Sequence, residues 1–474
     1  MSVTSKRAAS SANLFRMVSY ERMFAIRVWV NSVTLFMSSA ALIAGLVAPV
    51  AAADLISKNA TLRYRMGGGN LVTHLRGAPA TQLYQALRGV GARLARMNSY
   101  GWRDLQRHPL PEDFDAAMQD AYRNGITPVI LLEYEGNYQY LTPSRPIGSY
   151  SDWLAAGHAL ARRFQPDGDW GREHGIAGWG VTVFTAINEP DVQVSIPHAA
   201  YRDALAGLAD GVHSVNAALR VVPGGFATCN SHRDATLRGY GPAIAELLED
   251  GRLDGIDLYT YYNARWYPLT RGREFSAQWC FDQVKTAMEL RRDVNFYATE
   301  FNIARDRDWS DAKAAARLFL TALWDNLGVV RADGSSATVL AFPWNLGDTL
   351  RSETPAYAMA AAENPWAPEA RAVVLRTVLR LTGDMRFTAL DPHHTGTYTL
   401  EGSEGQLLVW QNLPGWTDKP SPTWEVDVPD WAGTAELWGW DGLRSTIAIR
   451  GRRIVIRDLP QNETLMLRLP RAPK

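Results

Sequence analysis

Two carboxylates in this chain sit where they could act on a substrate. Glu189 lies in Thr185-Ala186-Ile187-Asn188-Glu189-Pro190-Asp191, and Glu300 in Thr299-Glu300-Phe301-Asn302. Each follows an apolar run: Gly180-Val181-Thr182-Val183-Phe184 before the first, Asp293-Val294-Asn295-Phe296-Tyr297-Ala298 before the second. Runs of this kind predict buried strands. Pro190 lacks the N–H needed to extend the pairing, so each acid is expected at the C-terminal end of its strand. Two carboxyls so placed suit acid/base and nucleophilic chemistry on a sugar. At about 5–5.5 Å apart, one attacks the anomeric carbon while the other protonates the leaving oxygen. Their mutual repulsion is expected to raise one pKa, and Glu189 is expected to be the group kept protonated. The plainer alternatives are a helix first-turn carboxylate for Glu189 and a strand-end ion pair for Glu300.

The elements that must hold these residues alternate. Predicted strands cover 64–69, 93–97, 127–132, 180–184, 220–222, 255–261, 293–298 and 338–342. Predicted helices cover 81–90, 111–124, 152–164, 198–218, 243–248, 278–291, 310–326 and 369–381. Eight strand–helix units in this order predict an α/β fold, a (β/α)8 TIM barrel, rather than an open doubly wound sheet. The Gly67-Gly68-Gly69 turn lacks the G-x-G-x-x-G spacing of a nucleotide turn and reads instead as room for close backbone approach. From about Phe387 the pattern becomes short alternating runs separated by turns, which predicts a C-terminal all-β sandwich. Residues 54–62 are a candidate extra strand for it.

The expected organisation is therefore an N-terminal signal peptide or anchor at 1–53, a barrel at 54–385 and a sandwich at 386–474. The leader reading rests on Lys6, Arg7, Arg16, Arg22 and Arg27, then the apolar run 33–50, then Ala51-Ala52-Ala53 before Asp54. It implies export to the periplasm or medium, with membrane attachment if the leader is not cleaved. Among 474 residues, Lys+Arg and Asp+Glu are each 49, so net charge does not favour nucleic acid or an anionic membrane surface. Cys229 and Cys280 either pair after export or remain buried thiols. There is no Cys/His cluster with metal-ligand spacing, and neither metal nor cofactor is expected.

The pattern resembles clan A of the retaining glycoside hydrolases, in which an Asn-Glu pair ends strand four and the nucleophile ends strand seven. The β-region makes it look most like glycoside hydrolase family 39 or a near relative. The resemblance implies that Asn188 binds the sugar 2-hydroxyl, Glu189 is the acid/base and Glu300 the nucleophile. It further implies that Arg96, in Arg96-Met97-Asn98, stands beside the nucleophile, and that Tyr261 hydrogen-bonds it. Trp344 would stack under the reactive sugar. Tyr259 stands where the family usually has histidine. Arg96, Asn98, Tyr259, Tyr261 and Trp344 are thus candidate substrate-binding residues. Glu133, with Glu135 after strand three, is a further candidate that the family pattern does not supply. Trp102, Tyr138, Tyr140, Trp266 and Trp309 are expected in loops on the same face. The implied activity is hydrolysis of O-glycosidic bonds in a poly- or oligosaccharide by double displacement. The alternatives are a transglycosylase on the same site, or a non-catalytic carbohydrate-binding or exopolysaccharide-assembly protein.

Overall fold

The computed structural model describes residues 60–72, 78–102, 114–134, 147–193, 196–227, 239–262, 276–303, 311–346, 359–361, 367–391 and 395–471. The leader reading at 1–53 lies outside them, as do Glu135, Tyr138, Tyr140, Cys229, Trp266 and Trp309. Among the described residues, no helix is long and apolar enough to cross a membrane.

Nine parallel strand segments form two sheets. In the first, β1 (Gly68–Val72), β2 (Leu94–Trp102), β3 (Thr127–Tyr134), β4 (Val183–Ala186) and β5 (Arg220–Pro223) pair in chain order. In the second, β6 (Gly255–Asp257) and β7 (Thr260–Tyr262) both pair with β8 (Asn295–Ile303), which also pairs with β9 (Thr338–Pro343). Two isolated parallel bridges join the sheets, Phe226 to Leu258 at one edge and Met66 to Ala341 at the other. Helices 78–90, 114–123, 150–164, 198–215, 240–249, 277–287, 312–327 and 370–382 alternate with the strands.

Local chemistry explains the helix starts. Ser149 and Asp152 form a reciprocal capping box, Ser276 caps through Trp279 N at 3.1 Å, and Asp311 caps through Lys313 N at 2.9 Å. Two short helices at 169–173 and 190–193 were too brief to register as periodic patterns.

Apolar side chains fall into two layers around the parallel strands. One contains Leu94, Val129, Val183, Val222, Tyr297, Leu340 and Phe342, contributed by strands of both sheets. The other, much larger layer lies between strands and helices and includes Phe184, Val221, Leu160 and Leu205. A strand can feed both layers because alternate residues point to opposite faces. Gly67 shows how tightly the chain enters: an added Cβ would lie 2.5 Å from the Leu94 carbonyl oxygen, a backbone atom with nowhere to go.

Several expected boundaries shift. The first strand begins at Gly68, because Leu62–Tyr64 forms a 3-10 turn tied by Leu62 N to Met385 O at 2.9 Å. That turn also takes the end of the supposed extra strand at 54–62, the rest of which lies outside the described residues. The second strand continues to Trp102, which is therefore a strand residue and not part of a loop. The sixth strand divides into β6 and β7 around Leu258-Tyr259. The seventh does not stop at Glu300 but runs to Ile303, since β7 keeps pairing with Phe301, Asn302 and Ile303.

A small hairpin, β10 (Ala360–Ala361) with β11 (Ala367–Pro368), precedes the last helix. Beyond that helix the chain is antiparallel. Strands β12 (Arg386–Asp391), β13 (Thr397–Gly402), β14 (Gly405–Asn412), β19 (Glu463–Pro470), β16 (Thr434–Gly439) and β17 (Gly442–Ala448) form a six-stranded sheet in that order. The pair β15 (Trp424–Asp427) and β18 (Arg453–Ile456) packs on it through Trp410, Val426, Ile454 and Leu467. Helix 312–327 lies between this sheet and the parallel strands. Thr321 Oγ1 is 2.9 Å from Thr464 Oγ1, Gln411 Nε2 donates to Thr321 O at 3.3 Å, and Trp324 stacks on Tyr398 at 6.0 Å.

Candidate active site

Strand β4 ends at Ala186, and the next three residues are held in an unusual path. Ile187 has φ 66° and Glu189 φ 44°. A left-handed β-branched residue is costly and persists only where its surroundings fix it. Here the end of β5 does so: Gly224 N donates to Ala186 O at 2.6 Å, and Glu189 N donates to Gly225 O at 3.0 Å. Pro190 then opens the helix Pro190–Gln193, where its missing N–H costs nothing. Glu189 is half-buried, and Asn188 is almost enclosed.

Across from it, Glu300 is 5 % exposed and gripped from two sides. Arg96 Nη2 forms an ion pair with Oε1, and the Tyr261 hydroxyl donates to Oε2. Arg96, fully enclosed, spends all three nitrogens: Nε donates to Asn98 Oδ1 at 3.1 Å, and Nη1 to the Tyr259 hydroxyl at 2.6 Å and to Thr299 Oγ1 at 3.4 Å. Burying a carboxylate this deeply is expensive without such a partner. Tyr259 passes the connection on by donating to Asn188 Oδ1 at 2.5 Å. A continuous chain of bonds therefore runs Glu300–Arg96–Tyr259–Asn188, from the acid within β8 to the acid-bearing segment that follows β4. Gly225 makes room for it, since a Cβ there would fall 1.8 Å from the Tyr259 ring.

Burial raises the pKa of Tyr259 and Tyr261 well above the ordinary phenol value. The negative charges of Glu300 and Glu189 push both further in the same direction, while Arg96 opposes them. Both phenols stay protonated donors, and both feel both carboxylates. Asp257, fully buried at the end of β6, has its pKa raised to about 7 by burial, against bonds from Thr299 and the charge of Arg96.

The candidates thus divide by position. Arg96, Asn98 and Tyr259 lie behind Glu300 and Asn188, with 0 %, 2 % and 0 % exposure, and their contacts include each other and those two residues. Tyr261 is partly exposed, and its ring meets that of Trp344 edge-on at 6.0 Å. Trp344, also partly exposed, follows β9 and is tied to β8 by Trp344 N to Phe301 O at 2.9 Å and Asn302 Nδ2 to Trp344 O at 2.7 Å. Glu133 belongs to β3, but its side chain lies outside what the structure describes, as does that of Trp102. Asp257 and Thr299 were not among the expected site residues. The signal for the first was present: Asp257, Tyr259 and Tyr261 alternate along one strand face, a polar series inside an apolar run.

Among the described residues, no group of three or more His, Cys, Asp or Glu side chains is arranged to hold a metal ion. Cys280 is buried and disulfide-bonded.

No family model matches the chain, and no curated protein sequence matches it. Solved structures do share its fold. A glucosidase from Croceicoccus marinus superposes with a TM-score of 0.57 at 12% identity, over 88% of this chain and 98% of that one. A family 39 β-xylosidase from Caulobacter crescentus gives 0.56 at 13% identity, over 87% and 97%. A family 51 α-L-arabinofuranosidase from Bifidobacterium longum gives 0.53 at 11% identity, over 82% and 90%. The fold is therefore one shared with glycoside hydrolases, family 39 among them.

Proposed function

We propose that this protein is a retaining glycoside hydrolase built on a closed (β/α)8 barrel, acting on a poly- or oligosaccharide. The observation that carries the reading is the setting of Glu300: a nearly enclosed carboxylate, charge-paired by Arg96 and hydrogen-bonded by Tyr261, linked by side chains to Asn188 beside a second, more open carboxylate, Glu189. Closure of the barrel is supported by the two bridges that join the sheets and by the apolar layer that strands of both sheets share. The glycoside hydrolases that share the fold support the reaction class.

Glu300 attacks the anomeric carbon while Glu189 protonates the departing oxygen; Glu189 then takes a proton from water, which releases the sugar from Glu300. Arg96 and Tyr261 hold Glu300 in one rotamer for attack. Because Asn188 Oδ1 accepts from Tyr259, its NH2 is the end offered to a sugar hydroxyl. Trp344 offers its ring as a platform for the sugar.

The test uses azide and an aryl glycoside with an activated leaving group. With Glu189→Ala, the glycosyl–enzyme still forms, and azide speeds turnover to a glycosyl azide of the substrate's configuration. With Glu300→Ala, azide attacks directly and the product is inverted. Proton NMR of the two products decides. Swapped configurations reverse the roles, and an inverted sugar from the unmodified enzyme ends the retaining mechanism. An oligosaccharide product in place of free sugar would mark a transglycosylase, and no turnover on any glycoside a binding protein.

A further inference from the structure

We infer that Asp257 is a positioning residue that holds a bulge in β8 and thereby aims Glu300, an inference that rests on the nucleophile reading of Glu300. The registers on both sides of β8 locate the bulge. Towards β6 and β7, Asp257 pairs with Tyr297 and Thr260 with Phe301, so two residues, Leu258 and Tyr259, face three, Ala298 to Glu300. Towards β9, Ala298 pairs with Ala341 and Phe301 with Pro343, so the single residue Phe342 faces Thr299 and Glu300. Both counts leave β8 one residue in excess at Thr299-Glu300. A bulge re-aims a side chain and takes a backbone group out of the ladder. The Thr299 N–H bonds instead to Asp257 Oδ1 at 2.9 Å. The Thr299 hydroxyl donates to Asp257 Oδ2 at 2.5 Å and accepts from Arg96 Nη1. One carboxylate therefore clamps the residue next to Glu300 through backbone and side chain together, and the clamp extends to the guanidinium that pairs with Glu300. Asp257 makes no hydrogen bond to Glu300 and is fully enclosed, so it acts through Thr299.

The experiment compares Asp257→Asn, Asp257→Ala, Thr299→Val and Thr299→Ser in the full chain, by steady-state kinetics on an aryl glycoside and by crystal structures. Displacing a reacting group by about 1 Å costs on the order of 100-fold in rate. Asp257→Ala and Thr299→Val should lower kcat by about 10- to 100-fold with KM changed less than about twofold, Thr299→Ser should restore it, and the structures should show Glu300 displaced. A lower melting temperature with unchanged kcat per folded molecule, or an unmoved Glu300, overturns the inference. Should Asp257→Ala not fold, the Thr299→Val and Thr299→Ser pair decides alone. A Glu300→Gln variant run alongside separates the two ideas: if it keeps full activity, the nucleophile reading fails, and positioning is judged on the crystallographic displacement only.

Discussion

The Tyr259 hydroxyl donates to Asn188 Oδ1 across 2.5 Å while accepting from Arg96 Nη1 at 2.6 Å, so one phenol orients two polar groups, one on β2 and one just past β4. Removing that oxygen leaves a buried amide carbonyl and a buried guanidinium N–H each short of a partner. Tyr259→Phe should cost about 1–3 kcal/mol of stability, the penalty for an unsatisfied buried group, and should lower kcat/KM by freeing the Asn188 amide to turn. Urea unfolding and steady-state kinetics measure the two effects. Unchanged values in both would show that the bond orients nothing.

Arg96 neutralises Glu300 inside the protein. Arg96→Met, which keeps the bulk and removes the charge, strands a buried carboxylate and should destabilise by about 3–5 kcal/mol. Arg96→Lys should recover part of that loss but little activity, because an ammonium cannot serve Asn98, Tyr259 and Glu300 at once. Calorimetry and kinetics on both variants test this.

Asp257 supplies a pH dependence of stability. Its folded pKa is raised to about 7, above an ordinary value of about 3.9. Between those values the folded protein holds a proton that the unfolded chain has released. The contribution is thus fully present below about pH 4 and is lost as pH rises through about 7. The stability difference between wild type and Asp257→Asn should therefore tilt against the wild type over this window and level off above it. Urea titrations at pH 4.5 to 8 read the slope; a flat difference would place the Asp257 pKa elsewhere.

The leader reading predicts that exported protein begins near Asp54, after Ala51-Ala52-Ala53. Intact-mass measurement of secreted material checks it. Mature protein that retains residues 33–50 would indicate an anchor.

Much of the parallel fold was legible because its strands are short apolar runs and its helices carry clear periodicity. The helix expected at 152–164 spans Tyr150–Phe164, and that expected at 278–291 spans Ala277–Ala287. Strand limits were read less well. A strand's end depends on its neighbours' register, and Glu300 followed the obvious apolar run while β7 went on pairing to Ile303. The pairing of Arg96 with Glu300 followed from motif likeness. The part played by Tyr259 did not, because nothing local distinguishes a buried relay from a ligand contact. The role of Asp257 is hidden because one acid inside an apolar strand reads as an interruption until its partner on β8, Thr299, is known.

Helix 312–327 is covered on both sides, with its buried run Leu318 to Leu327 wedged between the parallel strands and the antiparallel sheet. The β-rich C-terminal region therefore cannot be exchanged in evolution or engineering like a detachable cassette. Any replacement would have to bring an aromatic ring to cover Trp324, as Tyr398 does, and polar groups to meet Thr321, as Gln411 and Thr464 do. Selection on the parallel strands and selection on this outlying sheet are thereby tied to one another, although the sheet contributes none of the identified residues around Glu300.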